Sequence, residues 1–217
     1  NKFITDPKVN TGSANDADYA SSGYDRGHLA PAGDMSWSSV SMTESFYYSN
    51  MSPQVPAFNR GIWKSLETLV RNWAGAYGDI FIVTGPILTD GLPQIGPNGV
   101  SVPAYYYKVI LDYQSHEHKA IGFILPNEAS HEALEHFAVS VDSVEKTTGL
   151  NFFEALPDQA ENQLEKEVCI SCWSWTATNT APAHHSIPKT HESEAVQCTG
   201  ITKAGQRCKR MTHDPSV

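Results

Sequence analysis

Four adjacent residues, Asp25-Arg26-Gly27-His28, set a carboxylate, a guanidinium, a glycine and an imidazole side by side. An imidazole of ordinary basicity can take a proton from water at pH 7. The Arg26 guanidinium offers a fixed cationic fork to a phosphate oxygen or a nearby carboxylate. Gly27 between them lets the backbone turn sharply or lets a ligand come close. Alone, such a run also describes a polar surface turn with one histidine. A second group changes that reading: Asn50-Met51-Ser52-Pro53-Gln54, then Asn59, Arg60, Lys64, Glu67 and Arg71. Together they supply what phosphodiester hydrolysis needs, namely a base for water, charge relief on the non-bridging oxygens and help for the departing oxygen. His28, neutral, would draw the proton from the attacking water, and Asn59 would offer a carbonyl oxygen to a hard divalent cation. Magnesium suits such a site, since it keeps most of its waters and needs only one or two protein oxygens. Glu67 would hold waters around that cation. Arg26 and Arg71 would face the charge that builds on the phosphate.

These residues need a scaffold. From Asn59 the apolar residues Ile62, Leu66, Leu69, Val70, Trp73 and Tyr77 recur at steps of three and four, which predicts a helix. Asn59 is a suitable N-cap, and Gly75 and Gly78 mark the far end. On that helix Asn59, Trp63, Glu67 and Arg71 step by four and form a row down one side. Considered apart from His28 and Asn59, Glu67 and Arg71 would be an ordinary surface ion pair. The histidine motif reads as a strand end and loop. Residues 42–49 read as a short aromatic strand or turn leading to Asn50. A buried strand is expected over residues 79–88, and two more over 102–113 and 119–125. The polar turn joining these last two carries His116 and His118, read as exposed hairpin histidines rather than a metal pair. Short helices are expected over 130–137 and 141–147, the second opened by Ser140 or Asp142, and Phe152 and Phe153 should pack on the sheet. Residues 1–22 read as extended over the core with Phe3 and Ile4 tucked in.

The Asp-Arg-Gly-His run, an asparagine that opens a helix and a glutamate two turns further on resemble, in this order and spacing, the DNA/RNA non-specific endonuclease family. These are the ββα-metal (His-Me finger) nucleases of the Serratia nuclease and endonuclease G type. The resemblance runs from about Phe3 to about Glu167. It implies an α+β fold: a central, mostly antiparallel sheet, with the catalytic ββα unit on one face and short helices on the other. It also implies that His28 matches the general base, Asn59 the direct Mg2+ ligand (with Mn2+ as a substitute) and Glu67 the family's glutamate. Asn50, Asp25 and Gln54 fall on motif positions and are taken as orienting groups. DNA and RNA are the implied substrates, with 5′-phosphate products. Contacts to phosphate and sugar rather than base edges would leave sequence preference low. The family carries a strand-rich segment before this point that the sequence lacks, so the residues it holds there have no counterpart here.

Composition bounds the rest. The chain has 217 residues, 40% hydrophobic and 18% charged, as in a globular rather than a disordered protein. No apolar run approaches the ~20 residues of a bilayer-spanning helix, so no membrane partner is expected. No signal peptide is legible, and export to a secreted or periplasmic location is expected only because so broad a nuclease endangers a cytosol. A mitochondrial location is the alternative. The net charge of −9 argues against a broad nucleic-acid-binding surface but permits a local basic cleft around Arg26, Arg60, Lys64 and Arg71. Oligomeric state is open, a homodimer included.

The nuclease-like domain is expected over residues 1–167, followed by a tail, 168–217, that carries all four cysteines: Cys169, Cys172, Cys198 and Cys208. Residues 176–191 read as a linker. The stretch 197–210 resembles the start of a small Cys/His module, leaving metal binding, disulfides and free thiols all open. Two non-enzymatic readings stand against the nuclease: a catalytically silent nucleic-acid-binding module, and an interaction protein recruited through its tail. A third, within enzymes, narrows the substrate to single strands.

Overall fold

The computed structural model describes residues 2–114, 117–175, 196–197 and 211–212. The chain divides into two compact units, Asn1–Asn179 and Thr180–Val217. The first begins with Ile4 bridged to Tyr47 and with Phe3 against Phe46, so these two residues are tucked in as expected, each half-buried. It also holds a short helix that composition did not reveal, α1 (Asp16–Tyr19). Asn15 caps it by accepting from the Ala17 N–H, while Asp18 accepts from the Asn15 N–H.

Next come β1 (Asp25–His28), α2 (Ser39–Glu44) and β2 (Met51–Gln54). Residues 42–49 are therefore not a strand. The Ser38 hydroxyl accepts from the Val40 and Ser41 N–H groups and starts a helix that runs through Glu44. The turn α3 (Pro56–Phe58) leads through a π-helical stretch, Asn59–Trp63, into α4 (Lys64–Tyr77). Asn59 is thus not an N-cap. It opens a wide turn kinked at Gly61, whose φ of −103° and ψ of −111° are non-helical. Gly75 lies inside α4, and Gly78, at φ +89°, ends it.

A four-stranded antiparallel sheet follows, in the order β3-β6-β7-β8. Its strands are β3 (Phe81–Ile87), β6 (Tyr105–Asp112), β7 (Lys119–Pro126) and β8 (Ala138–Val139); β4 (Gln94–Ile95) and β5 (Val100–Ser101) form a small separate ribbon. Side chains alternate across the sheet. Tyr106, Ile110, Ile121, Phe123 and Leu125 meet Leu66, Leu69, Val70 and Trp73 of α4. Tyr107, Val109, Leu111 and Ala120 meet Val141, Val144 and Phe153 on the other face. Both faces are covered, which is why β6 and β7 read as nearly continuous apolar runs. The second face is closed by α5 (Val141–Thr148), capped by Ser140, and α6 (Asp158–Lys166). The expected architecture of ββα unit, antiparallel sheet and helices is the one observed.

The stretch expected as a buried strand departs from its pattern. Phe81, Ile82 and Val83 are 57%, 42% and 38% exposed, because β3 pairs only with β6 and forms the edge of the sheet. The chain also packs on past Glu167, where the sequence reading ended the domain. Trp173, 3% exposed, lies against Trp73 in the main core, and Trp73 Nε1 donates to the Ser174 carbonyl. Just before it, Cys169 and Cys172 form a disulfide. His118 stacks on Tyr113, and His116, Cys198 and Cys208 lie outside the described residues. No helix among the described residues is long and apolar enough to cross a membrane. In the second unit, β9 (Val196–Gln197) pairs antiparallel with β10 (Met211–Thr212).

Gly27 makes no turn. It sits inside β1 opposite Ser52, and a Cβ there would overlap the fully buried Gln54 side chain. Gly27→Ala is expected to cost about 1–3 kcal/mol of stability by overpacking. Urea unfolding would read this, and the double variant with Gln54→Ala should lose less than the sum of the two single losses.

Candidate active site

β1 and β2 run antiparallel, with His28 opposite Met51 at the end of the ribbon. The next residue stays tied, since the Leu29 N–H donates to the Asn50 carbonyl at 3.0 Å. Asn50 then fixes the loop. Its Oδ1 accepts from the Ala30 N–H, and its Nδ2 donates to the Ala30 and Ser45 carbonyls, each at 2.9 Å. With its amide committed to backbone, Asn50 holds the chain that leaves His28 rather than meeting a ligand.

The His28 ring lies edge-on to Phe46 at 5.0 Å, and Phe3 stands 6.1 Å away. Burial there pushes its pKa below the ordinary histidine value, so the ring is neutral at pH 7. Its Nε2 is buried without a hydrogen-bond partner, which leaves Nδ1 as the nitrogen that can meet a water in the cleft.

That cleft, about 490 Å³, is lined by His28, Asn59, Arg60, Lys64, Glu67 and Arg71, together with residues 31–33. Asn59 donates from Nδ2 to Asp25 at 2.9 Å. A carboxylate only accepts, so this bond fixes the amide orientation and leaves Oδ1 for a cation. Asp25 also takes two bonds from Arg60, at 2.8 and 2.6 Å. Burial would raise the Asp25 pKa, but the Arg60 and Asn59 donors hold it below the usual range. Asp25 is therefore the ionised anchor that aims Asn59, as its motif position suggested.

Glu67 is half-buried and has neither a hydrogen bond nor an ion pair among the described residues. Burial, then the Asp34 charge, raises its pKa, against the pull of Lys108, Arg71 and Lys64. Arg71 does not pair with Glu67; its Nε donates to Asp34 at 2.7 Å. The row stepping by four is thus split. Asn59, Glu67 and Arg71 line the cleft, while Trp63, fully buried, packs against the stacked pair Phe58 and Tyr106. Arg26 is not among the cleft residues. Its guanidinium donates to the Tyr48 hydroxyl at 3.0 Å and Asp16 at 2.9 Å, and lies over the Phe3 ring. Gln54 is fully buried, with both amide atoms unpaired.

Lys108 escaped the sequence reading. It is 2% exposed on the α4 side of β6, donates to Thr84 at 2.6 Å and lies 5.0 Å from the Trp63 ring. It shares with Glu67, Asp34 and Asn50 a cavity of about 450 Å³ beside the cleft. Burial depresses its pKa, while Glu67 and Asp34 draw it back up. The signal was a lysine in the middle of the otherwise uncharged run Tyr105–Leu111. Asp34, in a single 3-10 turn (Ala32–Met35) too short to show periodicity, gave none.

The site has the donor set a hard cation asks for: one uncommitted amide oxygen, one unpaired carboxylate and room for water. The profile of the DNA/RNA non-specific endonuclease family matches residues 1–159. Nuclease C1 of Cunninghamella echinulata var. echinulata is 42% identical over 172 residues, covering 71% of this chain and 67% of the relative. Mitochondrial endonuclease G of Bos taurus is 39% identical over 152 residues, or 64% of this chain and 51% of the relative. The chain thus spans between about half and two-thirds of the length of these curated relatives. Among solved structures, a chain of an EndoG/EndoGI complex, described in terms of EndoG inhibition, superposes with a TM-score of 0.62 at 37% identity. That superposition covers 66% of this chain and 64% of the other. A histidine at the end of a two-stranded ribbon, facing an asparagine and a glutamate from the following helix, stands here within a matched family profile, and the chain belongs to the DNA/RNA non-specific endonuclease family.

Proposed function

We propose that the chain carries the catalytic centre of a magnesium-dependent endonuclease that hydrolyses phosphodiester bonds of DNA and RNA with little regard to sequence. One observation carries this reading: His28, Asn59 and Glu67 line a single cleft, and Asn59 is aimed into it by Asp25. A pure binding module needs neither a base nor an oriented cation ligand.

In this mechanism His28 accepts the proton of the attacking water at Nδ1, which its desolvated ring leaves unprotonated at neutral pH. Asn59 Oδ1 and Glu67 are the protein oxygens that would hold Mg2+ and its waters. When bound, the cation relieves phosphate charge and stabilises the leaving 3′ oxygen, giving a 5′-phosphate end. Arg71, steadied by Asp34, faces the phosphate, and Arg60 and Lys64 at the rim attract the strand. Arg26 supports the floor through Asp16 and Tyr48 instead of meeting phosphate, which revises the role its sequence position suggested. The names of several relatives include the word mitochondrial, which favours the mitochondrial alternative over export as the compartment.

Wild-type chain should cleave supercoiled plasmid and RNA with Mg2+ and fail to do so in EDTA. Metal-independent cleavage, or a folded chain inert in Mg2+ and Mn2+, would overturn the proposal.

The pH profile gives a second check. In the cation-free chain burial and Asp34 raise the Glu67 pKa while burial lowers that of His28, so at limiting Mg2+ the loss of activity on acidification should report proton uptake by Glu67 in competition with the cation. Lys108→Met removes a nearby cation that favours the Glu67 carboxylate and should move the acid limb of log kcat/KM to higher pH. A lowered Tm with an unmoved limb would mean that Lys108 acts only in packing.

A further inference from the structure

Three carboxylates far along the chain from the catalytic motifs converge where α5 meets α6. Asp142 and Glu145 come from α5 and Glu165 from α6, and one oxygen of each lies within 4.8 Å of the other two. None of the three lines the catalytic cleft. Glu145 is partly committed, accepting the Phe152 N–H at 2.8 Å. Glu165 is only 5% exposed, and its Oε1 is buried with no hydrogen-bond partner. Among the described residues, no lysine or arginine pairs with any of the three. Burial, the charges of Glu145, Glu161 and Asp142 and a side-chain hydrogen bond with Glu145 push the Glu165 carboxyl up to about 7. A buried carboxyl beside two others is held either by a proton or by a cation that joins the three.

We propose that Asp142, Glu145 and Glu165 form a calcium site that clamps α6 onto α5. The donor set suits that ion. Ca2+ takes six to eight oxygens in flexible geometry and accepts several carboxylates, whereas Mg2+ is usually held by one or two carboxylates and keeps its waters. Asp142 is exposed, so the site has an open side for entry and for waters that complete the coordination. Its role is structural, since it joins the two helices that close the second core.

The test separates this site from the cleft. In the Asn59→Ala chain at pH 8, CaCl2 at about tenfold excess over its dissociation constant should raise Tm by about 3–6 °C. Glu165→Gln in that background should abolish the shift. It should itself be at least as stable as its parent in EDTA, because it relieves the repulsion, so loss of the shift would not reflect unfolding. Calorimetric titration with CaCl2 should give one binding event in the Asn59→Ala chain and none once Glu165→Gln is added. An unchanged Tm in the Asn59→Ala chain, or an equal rise with and without Glu165→Gln, would overturn the site. Neither result bears on cleavage, which is read separately from plasmid and RNA.

Discussion

His28→Ala is expected to lower cleavage of both plasmid and RNA by about 10²–10⁴-fold, the usual contribution of a positioned general base. The ring is held by Phe3, Phe46 and the end of β1, with no hydrogen bond to its Nε2 among the described residues, so alanine leaves the Asn59 side of the cleft intact. Binding of a short duplex should therefore persist, since Arg60, Lys64 and Arg71 remain. Added imidazole, small enough for the vacated space, should restore part of the rate. That rescue separates lost chemistry from lost packing, because a destabilised chain would not regain activity from a free base. A variant that keeps more than about a tenth of wild-type kcat/KM would remove His28 from the role of base.

Asn59→Ala should have the second largest effect, and a different signature. Its amide supplies the uncommitted oxygen of the cleft, and Asp25 fixes its orientation. Removing a group that only orients a ligand typically costs 10–100-fold in metal affinity or activity, and removing the ligand itself should cost at least about 100-fold. The loss should be deepest in limiting Mg2+ and partly offset by excess, whereas the His28→Ala loss should not respond to the cation. Asp25→Ala should fall between wild type and Asn59→Ala, because Asn59 remains but is no longer aimed and Arg60 loses its partner. Full activity of Asn59→Ala in limiting Mg2+ would refute the ligand assignment.

Much of the candidate site was legible in the chain because its members are close in sequence and rest on local geometry. Residues 25–28 form one strand and 59–71 run without a break in sequence from the kinked turn into α4, so their order already implies that a strand end faces a helix. The apolar stripe of α4 and the strands β6 and β7 were equally plain, since their periodicity is imposed by burial. The helix start was misjudged for a local reason: a π-helical turn at Gly61 does not follow the 3.6-residue repeat by which Asn59 read as a cap. The exposed face of β3 was misjudged for a global one, because an apolar strand reads the same at the centre of a sheet and at its edge.

What the sequence by itself determined was the inventory and its local arrangement: a histidine, an asparagine and a glutamate on a ribbon and the helix after it. Tertiary structure decided which polar groups are committed. Arg26 turned to Asp16 and Tyr48, and Arg71 to Asp34, because those carboxylates and hydroxyls arrive from segments whose approach no local spacing encodes. Lys108 came beneath Glu67 for the same reason, carried there by the alternation of a strand that packs on α4 from the middle of the chain. Hydrogen bonds and burial between distant segments are settled only when the core closes, and they fix which donors remain for a substrate.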